Sequence, residues 1–243
     1  MKKKIKNFTK SLIRKFGWRV EKIRQNNFYN LEKPNLELIN ALINCRGVIH
    51  VGAHRGEEAP VYEWFGKKVL WFEANPYIFD DLEDNIYKYK YQKAYKALLL
   101  DNKKINVKFN LSNNDFASSS IYNFGKLSEG SDSIWPEKNL KMIKSINIQS
   151  NTFDNLVTEK NIKIEDYDHW VIDVQGSELL FLIGAEKSLT RCNSMYIEVS
   201  NDQIYQNGSS WTEVKNFLSK LDFKQITKMN SNHMDVLFVK NSS

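Results

Sequence analysis

At 243 residues with 42% hydrophobic side chains, the chain can bury one sizeable core, and nothing in its composition calls for a second globular domain. Two cysteines, Cys45 and Cys192, lack C-x-x-C or His-rich spacing, which argues against zinc and a disulfide framework and for a reducing cytoplasm; no apolar run reaches the ~18 residues of a membrane span or forms a signal peptide. The net charge of +6 is uneven: residues 1–24 hold ten Lys or Arg against one Glu, so +6 less +9 leaves −3 for the remainder, a body too near neutrality for an extended nucleic-acid face.

Residues 3–25 place Ile5, Phe8, Leu12, Ile13, Phe16 and Val20 at helical spacing between basic residues, the pattern of a basic amphipathic helix. Two readings stay open: peripheral docking on an anionic membrane through residues 1–25, or packing of the apolar stripe on the catalytic domain or on another subunit of a homo-oligomer. A second helix is expected from Leu36 to Asn44, so residues 1–44 read as an extension ahead of a domain spanning 45–243.

The stretch from Gly47 to Glu73 carries the domain's logic. An apolar strand (Val48, Ile49, Val51) leads into a turn, G-A-H-R-G, that holds Gly52 and Gly56. A helix follows from near Glu57, with Pro60 in its first turn and Val61, Trp64 and Phe65 as its sheet-covering residues. A second apolar strand, Val69 to Phe72, ends on Glu73. This is half of a nucleotide-binding fold: the glycines allow close backbone approach to a ligand, and a carboxylate at the tip of the second strand can accept from both ribose hydroxyls. The turn lacks the third glycine of G-x-G-x-x-G, so a nucleoside without phosphates fits better than NAD. S-adenosylmethionine (SAM) is the common ligand of that description.

Asn75 and Pro76 start a helix expected to run to about Tyr91, and a third strand near Tyr95 to Leu100 ends at Asp101. Residues 105–150 then break the alternation. Strand-like Ile105–Leu111 and Ser145–Ser150 flank a polar segment, 112–139, with three consecutive serines at 118–120 and an isolated Trp135; an insertion of this length reads as a substrate lid. A capped helix, Thr152 to Lys160, precedes the strand Trp170–Val174, which brings Asp173 to its tip ahead of a helix from Ser177 to Leu189. Met195–Val199 is a further strand and carries Glu198. The helix Trp211–Leu221 and an antiparallel hairpin, Phe223–Thr227 with Asp235–Val239, close the domain.

Five motifs stand in order: V-G-A-H-R-G at 51–56, F-E-A-N-P at 72–76, I-D-V-Q-G-S-E at 172–178, L-x-G-A at 182–185 and I-E-V at 197–199. Together they resemble the FkbM family of SAM-dependent methyltransferases. The resemblance implies a class I, Rossmann-like α/β fold, with a mostly parallel sheet, helices on both faces and a C-terminal antiparallel hairpin. It implies SAM held by Gly52, Ala53, His54, Gly56, Glu73, Ala74, Asn75 and Asp173, with Asp101 on the adenine side unless it is an ordinary turn residue. It further implies O-methylation of sugars or polyketide products, here a sugar hydroxyl of a glycan or glycan precursor. Family members commonly carry Asn at position 54 and often Glu at 175, where this chain has His54 and Gln175.

A hydroxyl acceptor needs a proton removed, and Asp173, His54, Glu178 and Glu198 are the candidate bases. Asp173 leads because it sits at a strand tip; orienting the methionine amino group is its competing role. Asp173, Glu178 and Glu198 could also surround Mg²⁺, but the helix dipole explains Glu178 equally well, and no metal is expected. Methylation of nucleic acid, and a non-catalytic SAM-fold module, are the alternative functions.

Overall fold

The computed structural model describes residues 36–104, 106–125 and 140–241; the basic helix expected over residues 3–25 and the part of the insertion with Trp135 lie outside them. In chain order the elements are α1 (Leu36–Asn44), β1 (Gly47–Val51), α2 (Ala59–Trp64), β2 (Lys68–Glu73), α3 (Pro76–Ile86), β3 (Gln92–Lys96), β4 (Leu98–Leu99) and β5 (Val107–Ser112). They continue with β6 (Met142–Ile148), β7 (Ser150–Asn151), α4 (Phe153–Glu159), β8 (His169–Ile172), α5 (Glu178–Gly184), β9 (Ser194–Ser200), α6 (Trp211–Lys220), β10 (Phe223–Gln225) and β11 (His233–Lys240).

Seven strands form one sheet in the order β10-β11-β9-β8-β1-β2-β3. The pairs β8–β9, β8–β1, β1–β2 and β2–β3 are parallel, and β11 runs antiparallel to both β9 and β10. The expected mostly parallel sheet is therefore present, and its last strand is inserted inside it. Strand order reverses between β1 and β8, which is where open α/β sheets bind ligands at the strands' carboxyl ends.

Helices cover both faces, so β1 and β2 read as continuous apolar runs instead of alternating ones. Ile49, Val51, Leu70 and Phe72 point to one core with Phe153, Trp170, Phe181 and Ile197; Val48, Val69 and Trp71 point to the other with Tyr62, Leu82 and Ile86. Helix starts follow their caps. Asn75 accepts from the Tyr77 amide ahead of Pro76, Thr152 accepts from the Asn155 amide, and Ser210 with Glu213 forms a capping box on α6.

Several boundaries differ from the sequence reading. The compact unit begins at Leu36, so α1 belongs with the domain: Leu42 packs beside Val48, and Lys67 Nζ donates to the carbonyls of Ile43 and Cys45 at the helix end. Helix α2 starts at Ala59 and turns Ala59 and Tyr62 inward, leaving Val61 and Trp64 exposed. Helix α3 stops at Ile86, because the chain must turn to enter the edge strand β3. The third strand ends at Lys96; Leu98–Leu99 leaves the sheet to pair with β7. The helix expected from Ser177 to Leu189 is α5 followed by a separate short turn at Ser188–Arg191, where Asp154 accepts from the amides of Lys187 and Ser188. Within the insertion, β5 and β6 form their own antiparallel pair.

Candidate active site

At the carboxyl ends of β1, β2 and β8 lies a cavity of about 310 Å³. Its floor is the β1 turn with Gly52, Ala53 and His54, its side the tip of β2 with Glu73 and Ala74, and its far wall Asp173 and Gln175. Phe72, Ile78, Leu98, Leu99 and Phe109 supply an apolar slot beside the acid.

Glu73 is buried, and its two oxygens accept from the backbone amides of His54 (2.8 Å) and Asn75 (2.7 Å). Desolvation pushes its carboxyl up to about 7, against the pull of those amides. Glu73 thus ties the β1 turn to the start of α3 besides facing the cavity. The glycines also serve the backbone. Gly52 (φ 81°) passes so close to β8 that a Cβ would run into the Asp173 carbonyl oxygen, and a Cβ on Gly56 (φ 68°) would meet Leu82 Cδ1 at 2.7 Å. The steric demand read from sequence as space for a ligand is, at both positions, a demand of neighbouring protein.

His54 lines the cavity, yet both its ring nitrogens are engaged: Nδ1 lies 2.9 Å from Glu57 Oε1, and Nε2 lies 2.9 Å from the carbonyl of Asp115. The Glu57 hydrogen bond raises the His54 pKa against burial and against the Arg55 guanidinium, whose Nη1 lies 3.1 Å from Nε2. With Arg55 paired to Asp115 at 2.9 Å, the ring latches the insertion onto the turn. That brings Phe116, Ala117, Ser119 and Ile121 over the cavity as its roof, while Ser120 Oγ donates to the Gln175 carbonyl at 2.7 Å. Asn75 caps α3 and is buried outside the cavity lining, with Nδ2 unpartnered among the described residues. Asp101 is also outside the lining and faces Lys104 at 3.9 Å.

Beyond Gln175 lies a second cavity, of about 210 Å³, reached by Glu178, Glu198 and His233. Gln175, three residues past the end of β8, is held in a left-handed backbone conformation (φ 52°). Its Nε2 donates to Asp173 Oδ1 and, at 2.9 Å, to Glu198 Oε2, while its Oε1 accepts from the Tyr205 hydroxyl. Glu198 also meets His233 Nε2 at 3.1 Å. Desolvation, then the Glu198 charge, holds the Asp173 carboxyl well above its usual range; desolvation, then Glu178, pushes Glu198 up to about 8. Glu178 reaches about 7, through burial. Among the described residues, no group of three or more His, Cys, Asp or Glu side chains is arranged to hold a metal ion. Asp173 and Glu198, candidates from sequence, are thus brought together; Gln175, which joins them, stood out in sequence only as a departure from the family's usual Glu, and Tyr205 carried no signal.

The model of the methyltransferase FkbM domain matches residues 50–224. The chain belongs to the FkbM methyltransferase family. No curated protein matches it in sequence. Among solved structures it is similar to the methyltransferase domain of bacterial CtHen1-C (11% identity, 85% of this chain and 95% of that one, TM-score 0.44). It is similar too to a TehB-like SAM-dependent methyltransferase from Corynebacterium glutamicum (11% identity, 84% and 86%, TM-score 0.42). A third is the magnesium protoporphyrin IX methyltransferase of Synechocystis PCC 6803 with bound SAM (7% identity, 84% and 74%, TM-score 0.45). These likenesses are too loose to add to what the strand order and the family match show.

The cofactor of this FkbM methyltransferase is SAM, and the larger cavity fits its adenosine. A single buried carboxylate at the tip of β2 suits a ribose diol, the apolar slot beside it suits a purine ring, and the volume falls at the small end of the usual 300–1,000 Å³ range for ligand sites. Gly52, Ala53, Glu73 and Ala74 would hold the nucleoside, with Asp173 at the methionine end.

Proposed function

We propose that this methyltransferase acts on a hydroxyl oxygen, and specifically on a sugar hydroxyl. The observation that carries the reading is the pair of carboxyl groups, Asp173 and Glu198, bridged by the Gln175 amide where the two cavities meet. An alcohol is a poor nucleophile until its proton is drawn away, and a carboxylate within reach of both donor and acceptor meets that need. SAM, when bound, supplies an electrophilic methyl group on a cationic sulfur. Asp173 takes the acceptor's proton while the turn, Glu73 and the roof over the cavity hold the reacting groups in line. Because the Asp173 carboxyl is held high by desolvation and by Glu198, a positive charge brought into the cavity lowers its proton affinity and readies it as a base. The sugar class rests on the family's range of acceptors and on the polar character of the second cavity.

The test is mass spectrometry on a panel of methyl glycosides and activated sugars incubated with SAM and the enzyme. A product heavier by one methylene, formed with release of S-adenosylhomocysteine (SAH), supports the reading; methylation confined to thiols or amines overturns it. Peripheral attachment through residues 1–25 belongs to the same proposal, because glycan precursors are built at membranes and ten Lys or Arg lie within residues 1–24. Co-sedimentation of the full chain with anionic vesicles at low salt, lost when the chain starts at Asn26, tests it. Among the described residues no helix is long and apolar enough to cross a membrane.

A further inference from the structure

The second cavity differs from the first in more than size. Glu178, Glu198 and Asp202 line it together with Ser200, Ser209 and His233, and no Lys or Arg contributes to the wall among the described residues. Its hydroxyl and carboxyl groups suit a ring that presents several hydroxyls. An anion does not suit it: a carboxylate or phosphate entering would lose its hydration beside Asp202, hold Glu178 and Glu198, already near 7 and 8, in their protonated forms, and meet no Lys or Arg among the described residues, while burial lowers the pKa of His233. An ammonium group would gain what an anion loses.

Position adds a second constraint. Gln175 lines the first cavity, and its amide reaches Glu198 on the second. Its Nε2 stands between the carboxyl groups of Asp173 and Glu198, as a donor to both. An acceptor hydroxyl must donate its own proton at that same place. The Oε1 end is held by Tyr205, on the loop that forms the opposite wall, so the amide spans the opening as a partition. A sugar hydroxyl in place of Nε2 has one proton to donate, to Asp173, and can accept from the Glu198 carboxyl, which burial pushes up to about 8 and so keeps protonated near neutrality; both acids then remain paired.

We propose that this second cavity is the acceptor site, that it takes an uncharged or amino-bearing sugar ring and rejects acidic ones, and that the acceptor hydroxyl enters by displacing the Gln175 amide from between Asp173 and Glu198. The inference rests on the sugar-hydroxyl reading above. It narrows that reading: a uronic acid or a sugar phosphate is excluded from the ring that is methylated, and any phosphate of a carrier-linked precursor has to lie outside this cavity.

Saturation-transfer NMR of the enzyme with SAH present, using methyl glycosides of a neutral hexose, a 2-amino sugar and a hexuronic acid, tests the site directly. The neutral and amino sugars are expected to bind at least about tenfold more tightly than the uronate. Asp202→Lys places a cation on the cavity rim, where the native side chain accepts a long bond of 3.4 Å from Asn232. This variant is expected to reduce the preference for the amino sugar over the uronate by about tenfold, with SAH affinity unchanged. A milder variant, Asp202→Asn, is expected to shift the ratio in the same direction by less, and it serves if the lysine does not fold. Equal binding or methylation of the uronate by the wild-type enzyme, or a ratio that neither variant moves, overturns the inference. Methylation of acidic sugars alone would leave the sugar-hydroxyl reading standing, whereas methylation of a non-sugar alcohol with no sugar accepted would overturn that reading as well.

Discussion

Two aspartates bracket strand β8, and their surroundings could hardly differ more. Asp168, just before the strand, is buried, yet one oxygen accepts from the Arg46 amide at 2.8 Å and the other from Arg46 Nε and Asn193 Nδ2, each at 3.0 Å. Asp173, just after it, has no cation among its hydrogen-bond or ion-pair partners within the described residues and stands beside another acid, with one amide shared between them. A carboxylate that holds a fold together is surrounded by donors. One that is left beside a like charge at a cavity wall raises the energy of its own ionised form, and a fold tolerates this only where something else, a ligand or a reaction, uses it.

Breaking the comparison at Asp173 should give the largest effect. Asp173→Asn is expected to lower turnover by ~10²-fold or more with SAH affinity within a few fold and thermal stability unchanged or higher. Equal losses in turnover and affinity would mark it as a cofactor ligand instead. Glu73→Ala comes next, with SAH affinity falling by about 2 to 4 kcal/mol in titration calorimetry. Because Glu73 also satisfies the His54 and Asn75 amides, the same variant should lose on the order of 2 kcal/mol of stability, so the fold is not indifferent to it. Unchanged affinity would remove Glu73 from the cofactor site. Asp168→Asn should reverse the pattern of Asp173: about 1 to 3 kcal/mol less stable to denaturant, with the kinetic constants of the remaining folded enzyme unaltered.

The acids at the carboxyl edge also give a pH dependence of known sign. Glu73 and Glu178 near 7 and Glu198 near 8 bind protons more tightly in the folded chain than in the unfolded one, where a glutamate sits near 4.5. Between about pH 4.5 and 8 the native state therefore holds more protons, and stability falls as pH rises through that window. Scanning calorimetry of the cofactor-free protein should show a higher Tm near pH 6 than near pH 8, and Glu198→Gln should flatten the slope; a Tm rising toward pH 8 would contradict the burial of these acids. The smallest effect is expected at His54. Its pKa is raised, so the latch to Glu57 and Asp115 is complete at low pH and is lost as pH rises through the folded value. His54→Ala should speed amide exchange over residues 113–121 while changing global stability by only about 0.5 kcal/mol, because the pair is partly solvated.

Much of this edge could be read before the structure. The apolar runs of β1 and β2, the Glu73 tip, Asp173 and Glu198 follow from strand periodicity plus an acid at the end. The failures share a cause. Val61 and Trp64 were expected against the sheet because helical spacing does not say where a helix begins, and a start at Ala59 rotates the apolar face toward Ala59 and Tyr62. Asp101 has the right place in the sequence but sits where the chain has already left the sheet for β7. His54 does line the cavity, but the partner of its ring, Asp115, lies 61 residues away, beyond any local pattern.

By itself, the order of hydrophobic runs, glycine turns and strand-end acids determined the class of fold, the family and the edge of the sheet that carries the chemistry, because each depends on residues close together in the chain. Tertiary structure alone decided which acids are satisfied and which are left exposed to one another. The partners of Asp168 arrive from 122 and 25 residues away, and Tyr205 reaches Gln175 across 30. Electrostatic energy depends on distances in space and on the water excluded between charges, and neither is written in the spacing of the sequence.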